Sequence, residues 1–446
     1  MDAVRQQTTT ERTRSLVEAV REIEYPLADN ADLDTLLDKI GDANYVLLGE
    51  ASHGTSEYYT WRARLSQRLI QEKGFSFIAV EGDWPDCYRL NRYIKGSSDA
   101  DSAYDILHNF RRWPTWMWAN WEVVALAEWL RSYNQRQGDR APTQQVGFYG
   151  LDVYSLHESM AAITDYLTEN EPDALEAAKA AYRCFEPYGE NGQAYAWSTT
   201  MVPETCEQQV IDLLREIRQQ ARAPQDDGDP EGAFNAEQNA WVVAEAEHYY
   251  RTMLRGSAAS WNVRDYHMAD TLDRLMDHYG PQAKAIVWEH NTHIGDARAT
   301  DMARANMVNV GQLVRERHMA DGVVLVGFGS HRGTVIAGDA WGEPMQVMQV
   351  PRARPESWES VLYQTGTADK LLLLDDLRSI EAGRQVRGHR AIGVVYHPER
   401  EGGNYVPSVL PNRYDAFLFI EESQALHPLH LEPSSTRPPE LYPWGV

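Results

Sequence analysis

Short, continuously apolar runs recur along the chain, separated by longer stretches in which apolar residues return every three or four positions. YVLLGE (45–50), FSFIAVEG (75–82), QVGFYGLDV (145–153), KAIVWEHNTH (284–293), GVVLVGFG (322–329), RAIGVVYHP (390–398) and YDAFLFIEE (414–422) each predict a strand. Most are apolar throughout rather than alternating, the pattern of strands covered on both faces. Between them, SEYYTWRARLSQRLIQEKG (56–74) predicts a helix in which Tyr59, Leu65 and Leu69 share one stripe and Gly74 is the C-terminal cap. Strand, helix, strand alternation predicts an α/β fold with a mostly parallel sheet flanked by helices. From Leu156 to about Met276 helix-forming runs dominate, broken by the acidic segment APQDDGDPEG (223–232). This stretch is expected to be a helical insertion or lid on one α/β domain spanning 1–446. The tail PSSTRPPELYPWGV is expected to be irregular.

Composition narrows the partners. Hydrophobic residues make up 43% and charged residues 24%, as in a globular protein, and no apolar run approaches membrane-spanning length. The first fifteen residues are polar and charged and predict neither signal peptide nor anchor, so a cytoplasmic location is expected. The formal net charge is −24, which repels nucleic acid and anionic membranes alike. Lysine occurs only at positions 39, 73, 95, 179, 284 and 370, arginine supplying the rest of the basic residues. That suits a high-salt setting, although a GC-rich genome yields the same arginine bias. Cys87, Cys184 and Cys206 lie far apart without a C-x-x-C pair and are expected to be three separate thiols.

Ligands of α/β sheets bind beyond the carboxyl ends of the strands. Three strand candidates end there in ionisable groups: Glu50 and His53 after the first, Glu81 after the second, and Glu289, His290 and His293 after the fourth. An apolar run that delivers Glu or His into a buried setting costs desolvation unless those groups face a pocket or one another. A histidine among carboxylates can act as a general base, one carboxylate fixing its tautomer and stabilising the imidazolium. The same cluster holds enough ligands for a hydrolytic metal ion, an alternative with His53, Glu81, His290 and His293 as the set. No G-x-S-x-G elbow or phosphate-binding glycine loop is present, which favours an activated water as nucleophile.

These segments resemble the erythromycin esterase family from about Tyr45 to about Pro428. LLGEASHGTSEYYTWR is similar to its first motif, in which Gly-Glu-x-x-His is followed nine residues later by Arg. FIAVEGDWPD, WNVRDYHMADTL, WEHNTHIGDAR, QVPRARPESWESVL and YDAFLFIEESQALHPL resemble its later landmarks. The resemblance implies that His53 activates water, with Glu50 and Glu81 orienting it or sharing in the proton transfer and Arg62 positioning or stabilising charge. It implies substrate contacts from His290, His293, Arg264 and Glu57, a small-molecule ester as substrate, and no cofactor. Glu289 departs from the family pattern, which has alanine there, and is expected to point outward as an exposed glutamate. A metal-dependent hydrolase of esters, amides or peptides, and a binding protein with the same pocket, are the competing readings.

Weaker features carry expectations of their own. In RRWPTWMWANWEVVALAEWL (111–130), Trp121 and Trp129 are expected to pack inward, leaving Trp113, Trp116 and Trp118 in a loop around Pro114 open to substrate. Arg264 and Asp265 are read at the start of a helix. His331 and Arg332 follow a strand, either lining the cleft or exposed in a loop.

Overall fold

Continuous apolar runs become strands wherever both faces are covered, and the computed structural model shows which runs meet that condition. It describes residues 2–138, 140–172, 175–188, 195, 198, 205–220, 231–253 and 257–430. The acidic segment lies outside the described residues up to position 230, and the 433–446 tail lies outside them entirely. In chain order the strands are β1 (Glu24–Pro26), β2 (Tyr45–Leu48), β3 (Phe77–Asp83), β4 (Gly147–Asp152), β5 (Ala285–Trp288) and β6 (Val323–Gly338). Then follow β7 (Met345–Val350), β8 (Lys370–Leu373), β9 (Arg387–Arg390), β10 (Tyr405–Ser408) and β11 (Ala416–Ser423).

The chain divides into two compact units. The first comprises Met1–Ser76, Ala100–Leu130 and Lys284–Val446. In it β2 pairs in parallel with β5 and with β6, and β6 in parallel with β11. Every residue of β2 and β5 is buried, as befits parallel strands with both faces covered. Antiparallel partners complete the edges: β8 against β11, β1 against β8, and β7 against the far end of β6. The second unit, Phe77–Asp99 and Arg131–Ala283, holds the parallel pair β3–β4. Helices occupy the described part of 156–276: Leu156–Asn170, Leu175–Phe185, Glu207–Gln220, Gly232–Met253 and Ser257–Tyr279. They bury one continuous cluster, including Ile163, Phe185, Leu213 and Val243. No helix among the described residues is long and apolar enough to cross a membrane.

The helix predicted over 56–74 runs from Ser56 to Lys73, buries Tyr59, Leu65 and Leu69, and ends on Gly74 in the left-handed region at φ 71°. Several expectations are corrected. Residues 391–398 are not a strand, because their backbone groups go to three different places. Ala391 donates to Asn404 O, Ile392 to Ala51 O and Tyr396 to Gly338 O. The strand predicted to end at 329 continues to Gly338, its second half held by the β7 hairpin. Cys184 and Cys206 are not free thiols: they form a disulfide across 22 positions of the second unit, leaving only Cys87 free among the described residues. The tryptophan band inverts except at Trp113, which stays half-buried. Trp116 and Trp118 are buried because a tight turn at 115–117 folds inward, held by Asn120 Nδ2 donating to the carbonyls of Trp116 and Met117. The helix that follows turns Val123, Val124 and Leu126 to the core and leaves Trp121 and Trp129 half-buried.

Candidate active site

The end of β2 and the loop after it are fastened at several points. Gly49 N donates to Val326 O at 2.9 Å, and Gly54 O accepts from both Ile336 N and Leu426 N at 2.9 Å. Gly54 has no room for a side chain, since a Cβ there would lie 2.0 Å from Ile336 O. The Tyr59 hydroxyl donates to His53 O at 3.2 Å. His53 is therefore carried on a loop whose backbone polar groups are satisfied by three separate segments.

On this loop the two oxygens of one buried carboxylate are divided between a histidine and an arginine. His53 Nδ1 lies 2.8 Å from Glu50 Oε1, and Arg62 Nη2 donates to Glu50 Oε2 at 2.6 Å. Glu50 and Arg62 are 1% and 0% exposed, so both charges have left water and each is the other's main compensation. Arg62 also lies 4.4 Å from the Tyr59 ring and 4.6 Å from the Trp288 ring, whose indole N–H is held by Ser66 Oγ. Such stacking suits the weakly hydrated, planar guanidinium. With Glu50 ionised, His53 presents Nδ1–H to it, which leaves Nε2 as the basic nitrogen.

The turn after β5 brings two further histidines. His290 caps the short helix Asn291–Ile294, its Nδ1 2.8 Å from Thr292 Oγ1, and its ring centre lies 4.9 Å from that of His53. His293 is buried, and its N–H donates to His290 O at 2.8 Å. Glu289 is 1% exposed, which overturns the expectation of an outward glutamate. It directly follows β5, whose residues are all buried, and so leaves the strand inside the fold. Glu57 lies in the first turn of the 56–73 helix and accepts from Gln424 N at 2.8 Å. Burial, with like charge from Asp369 and Glu122, raises its carboxyl to about 7.

Glu81 and Arg264 belong to the second unit and bind one another. Arg264 Nη2 donates to Glu81 Oε1 at 2.7 Å and to Asp152 Oδ2 at 2.6 Å, while Nε donates to Asp152 Oδ1 at 2.9 Å. The Tyr154 ring lies 4.9 Å from the guanidinium. Burial alone would raise the Asp152 carboxyl, but Arg264 beside it holds it below its ordinary range. Arg264 sits well inside the Ser257–Tyr279 helix rather than at its start, so Asp265 is no first-turn residue.

Asp152 was overlooked although it ends a strand candidate, the same signal that marks Glu50 and Glu81. Tyr59 and Trp288 were also missed as site residues, since nothing in the sequence sets a stacking ring apart from a core aromatic. His331 and Arg332 lie on β6, not in a loop. His331 is buried and stacks on Tyr363 at 3.8 Å, and Arg332 pairs with Glu421 and Glu422.

Fold and site together define an α/β protein with a buried, ion-paired glutamate at a strand end, shared between a histidine and an arginine. Residues 70–423 match the family model described as Erythromycin esterase, and the chain belongs to that family. It is 26% identical over 164 residues to erythromycin esterase type II of Escherichia coli, covering 36% of either chain. To the putative hydrolase YbfO of Bacillus subtilis (strain 168) it is 22% identical over 312 residues, 65% of this chain and 66% of that one. The chain thus spans about a third of one relative's length and just under two thirds of the other's. The crystal structure of a succinoglycan biosynthesis protein superposes with a TM-score of 0.73 at 23% identity, over 93% of this chain and 98% of that one. That likeness shows the fold.

Proposed function

We propose that this protein hydrolyses a carboxylic ester, a macrolactone such as erythromycin or another ester, with water activated by His53. The observation that carries the reading is the buried chain from Arg62 through Glu50 to His53. His53 Nε2 takes a proton from water as its oxygen attacks the ester carbonyl, and Glu50 stabilises the imidazolium. His290, close to His53, faces the developing oxyanion. Collapse breaks the C–O bond, and His53 returns the proton to the leaving alcohol. The family resemblance assigns Glu81 to the catalytic residues, and Arg264, His293 and Glu57 to substrate contacts. The substrate is a small molecule, and the net charge of −24 argues against nucleic acid or anionic membrane as partner.

The reaction needs no metal in this reading. A metal-dependent hydrolase is the second reading, favoured by one observation, the burial of Glu289 beside His290. Among the described residues no three His, Cys, Asp or Glu side chains are grouped as a metal site requires. Wild type and His53→Asn, each with and without chelator, would be screened against macrolides and simple esters for a mass gain of one water. Hydrolysis by wild type that survives chelation and is lost in His53→Asn is the expected result. Activity retained by His53→Asn sinks the mechanism, and activity lost on chelation favours the metal.

A further inference from the structure

The first unit buries a second histidine–carboxylate pair that the proposed reaction does not use. His389 Nδ1 lies 2.5 Å from Glu359 Oε1, and both side chains are fully shielded from solvent. The same Glu359 oxygen accepts Arg390 N–H at 2.8 Å. Across the imidazole, Asn291 Nδ2 stands 3.3 Å from His389 Nε2. Asn291 lies in the candidate site, between His290 and His293.

The orientation of the Asn291 amide follows from its other bonds. Nδ2 donates to Phe328 O at 2.6 Å, and Oδ1 accepts from Phe328 N at 3.3 Å. Exchanging the two ends would set donor against donor and acceptor against acceptor. Nδ2–H is therefore the group aimed at His389, so Nε2 accepts and the ring proton sits on Nδ1, facing Glu359. The Asn291 backbone ties the same point to the catalytic strand, its N–H donating to Glu50 O at 2.8 Å. Its Oδ1 fills the space beside Gly49, where an added Cβ would lie 2.0 Å away. One residue thus links β6, through its side chain, with the strand end carrying Glu50, through its backbone, and the turn carrying His290 and His293. The His389–Glu359 pair fixes its rotamer from behind.

We propose that Glu359, His389 and Asn291 form a buried positioning relay that holds the His290–His293 turn in register with Glu50 and His53. Its catalytic meaning rests on the ester-hydrolase reading. None of the three touches substrate; they act by placing groups that do. Misplacement of about 1 Å can cost on the order of 100-fold in rate, so small relaxations of this turn matter.

The test compares full-length wild type with His389→Leu, which breaks the relay, and His389→Gln, whose amide can still accept from Asn291 and donate to Glu359. Two quantities are read: kcat and KM on an ester that wild type hydrolyses, and amide hydrogen exchange over residues 290–295. His389→Leu is expected to lower kcat about tenfold or more with KM within about twofold. Exchange at the turn should quicken while that of the 56–73 helix stays unchanged, and His389→Gln should recover most of kcat. Unchanged exchange at the turn, a loosened turn with kcat intact, or a glutamine variant as poor as leucine would each overturn the relay. Should His389→Leu fail to fold, His389→Phe, which keeps the bulk of a ring and removes both ring nitrogens, is read in its place with the same pattern expected. If wild type hydrolysed no ester offered, the hydrolase reading would fail, and exchange at the turn would still decide the relay.

Discussion

At the scale of single residues the site is organised by Glu50, whose two oxygens serve two different partners. Neither charge of the Glu50–Arg62 pair can return to water, so removing one partner strands the other. Arg62→Met, which keeps the length and sits well between Tyr59 and Trp288, should destabilise the protein by about 3–5 kcal/mol. Urea unfolding measures this, and the double variant Arg62→Met/Glu50→Gln should lose less than the sum of the two single changes. Strict additivity would mean that the pair is not coupled. Glu50 and His53 were legible before the structure because they directly follow a strand candidate, whereas Arg62 entered only through the family motif and its pairing with Glu50 was not read. The Glu359–His389 pair was not, since those residues lie 30 positions apart and meet only through tertiary packing.

At the scale of elements, strand ends were the readable signal and strand edges were not. β2, β3, β4, β5 and β11 show as apolar runs because both their faces are covered. β1, β7, β8, β9 and β10 were missed: β1 is only three residues long, β7 exposes half of its side chains, and β9 reads RGHR, with no apolar side chain. Residues 391–398 read as a strand because apolar content cannot tell one long ladder from three separate anchors. The 56–73 helix carries a cost of its own in Glu57. A helix N-terminus favours a negative charge, yet burial and the charges of Asp369 and Glu122 outweigh it and raise the carboxyl from 4.5 to about 7. A folded-state pKa above the unfolded one contributes stability that is complete below pH 4.5 and lost as pH rises through about 7. Glu57→Gln keeps an oxygen for Gln424 N and should remove that loss. Unfolding midpoints for both proteins at pH 5 and pH 8 test it. An equal drop in the two would place the pH dependence elsewhere.

At the scale of the whole molecule, the formal charge of −24 acts on every part of the fold at once. Net charge of one sign destabilises a compact state by self-repulsion, and the repulsion between exposed groups fades as the Debye length shrinks from about 30 Å at 0.01 M salt to about 3 Å at 1 M. The ion pairs of the candidate site are buried and are screened far less, so salt should act on stability more than on the site. The urea midpoint is therefore expected to rise steadily with sodium chloride over that range, while near-ultraviolet circular dichroism, summed over 14 tryptophans and 23 tyrosines, stays constant in the folded protein. Sucrose at matched osmolality supplies the control for solute exclusion, and it should reproduce only part of the rise. A gradual rise fits an acidic protein of ordinary salt tolerance, whereas collapse of secondary structure below about 0.1 M salt, where screening weakens, would mark one built for a high-salt setting. A midpoint indifferent to salt would mean that the interspersed arginines already neutralise the surface locally, and that the excess charge has no mechanical consequence for the fold.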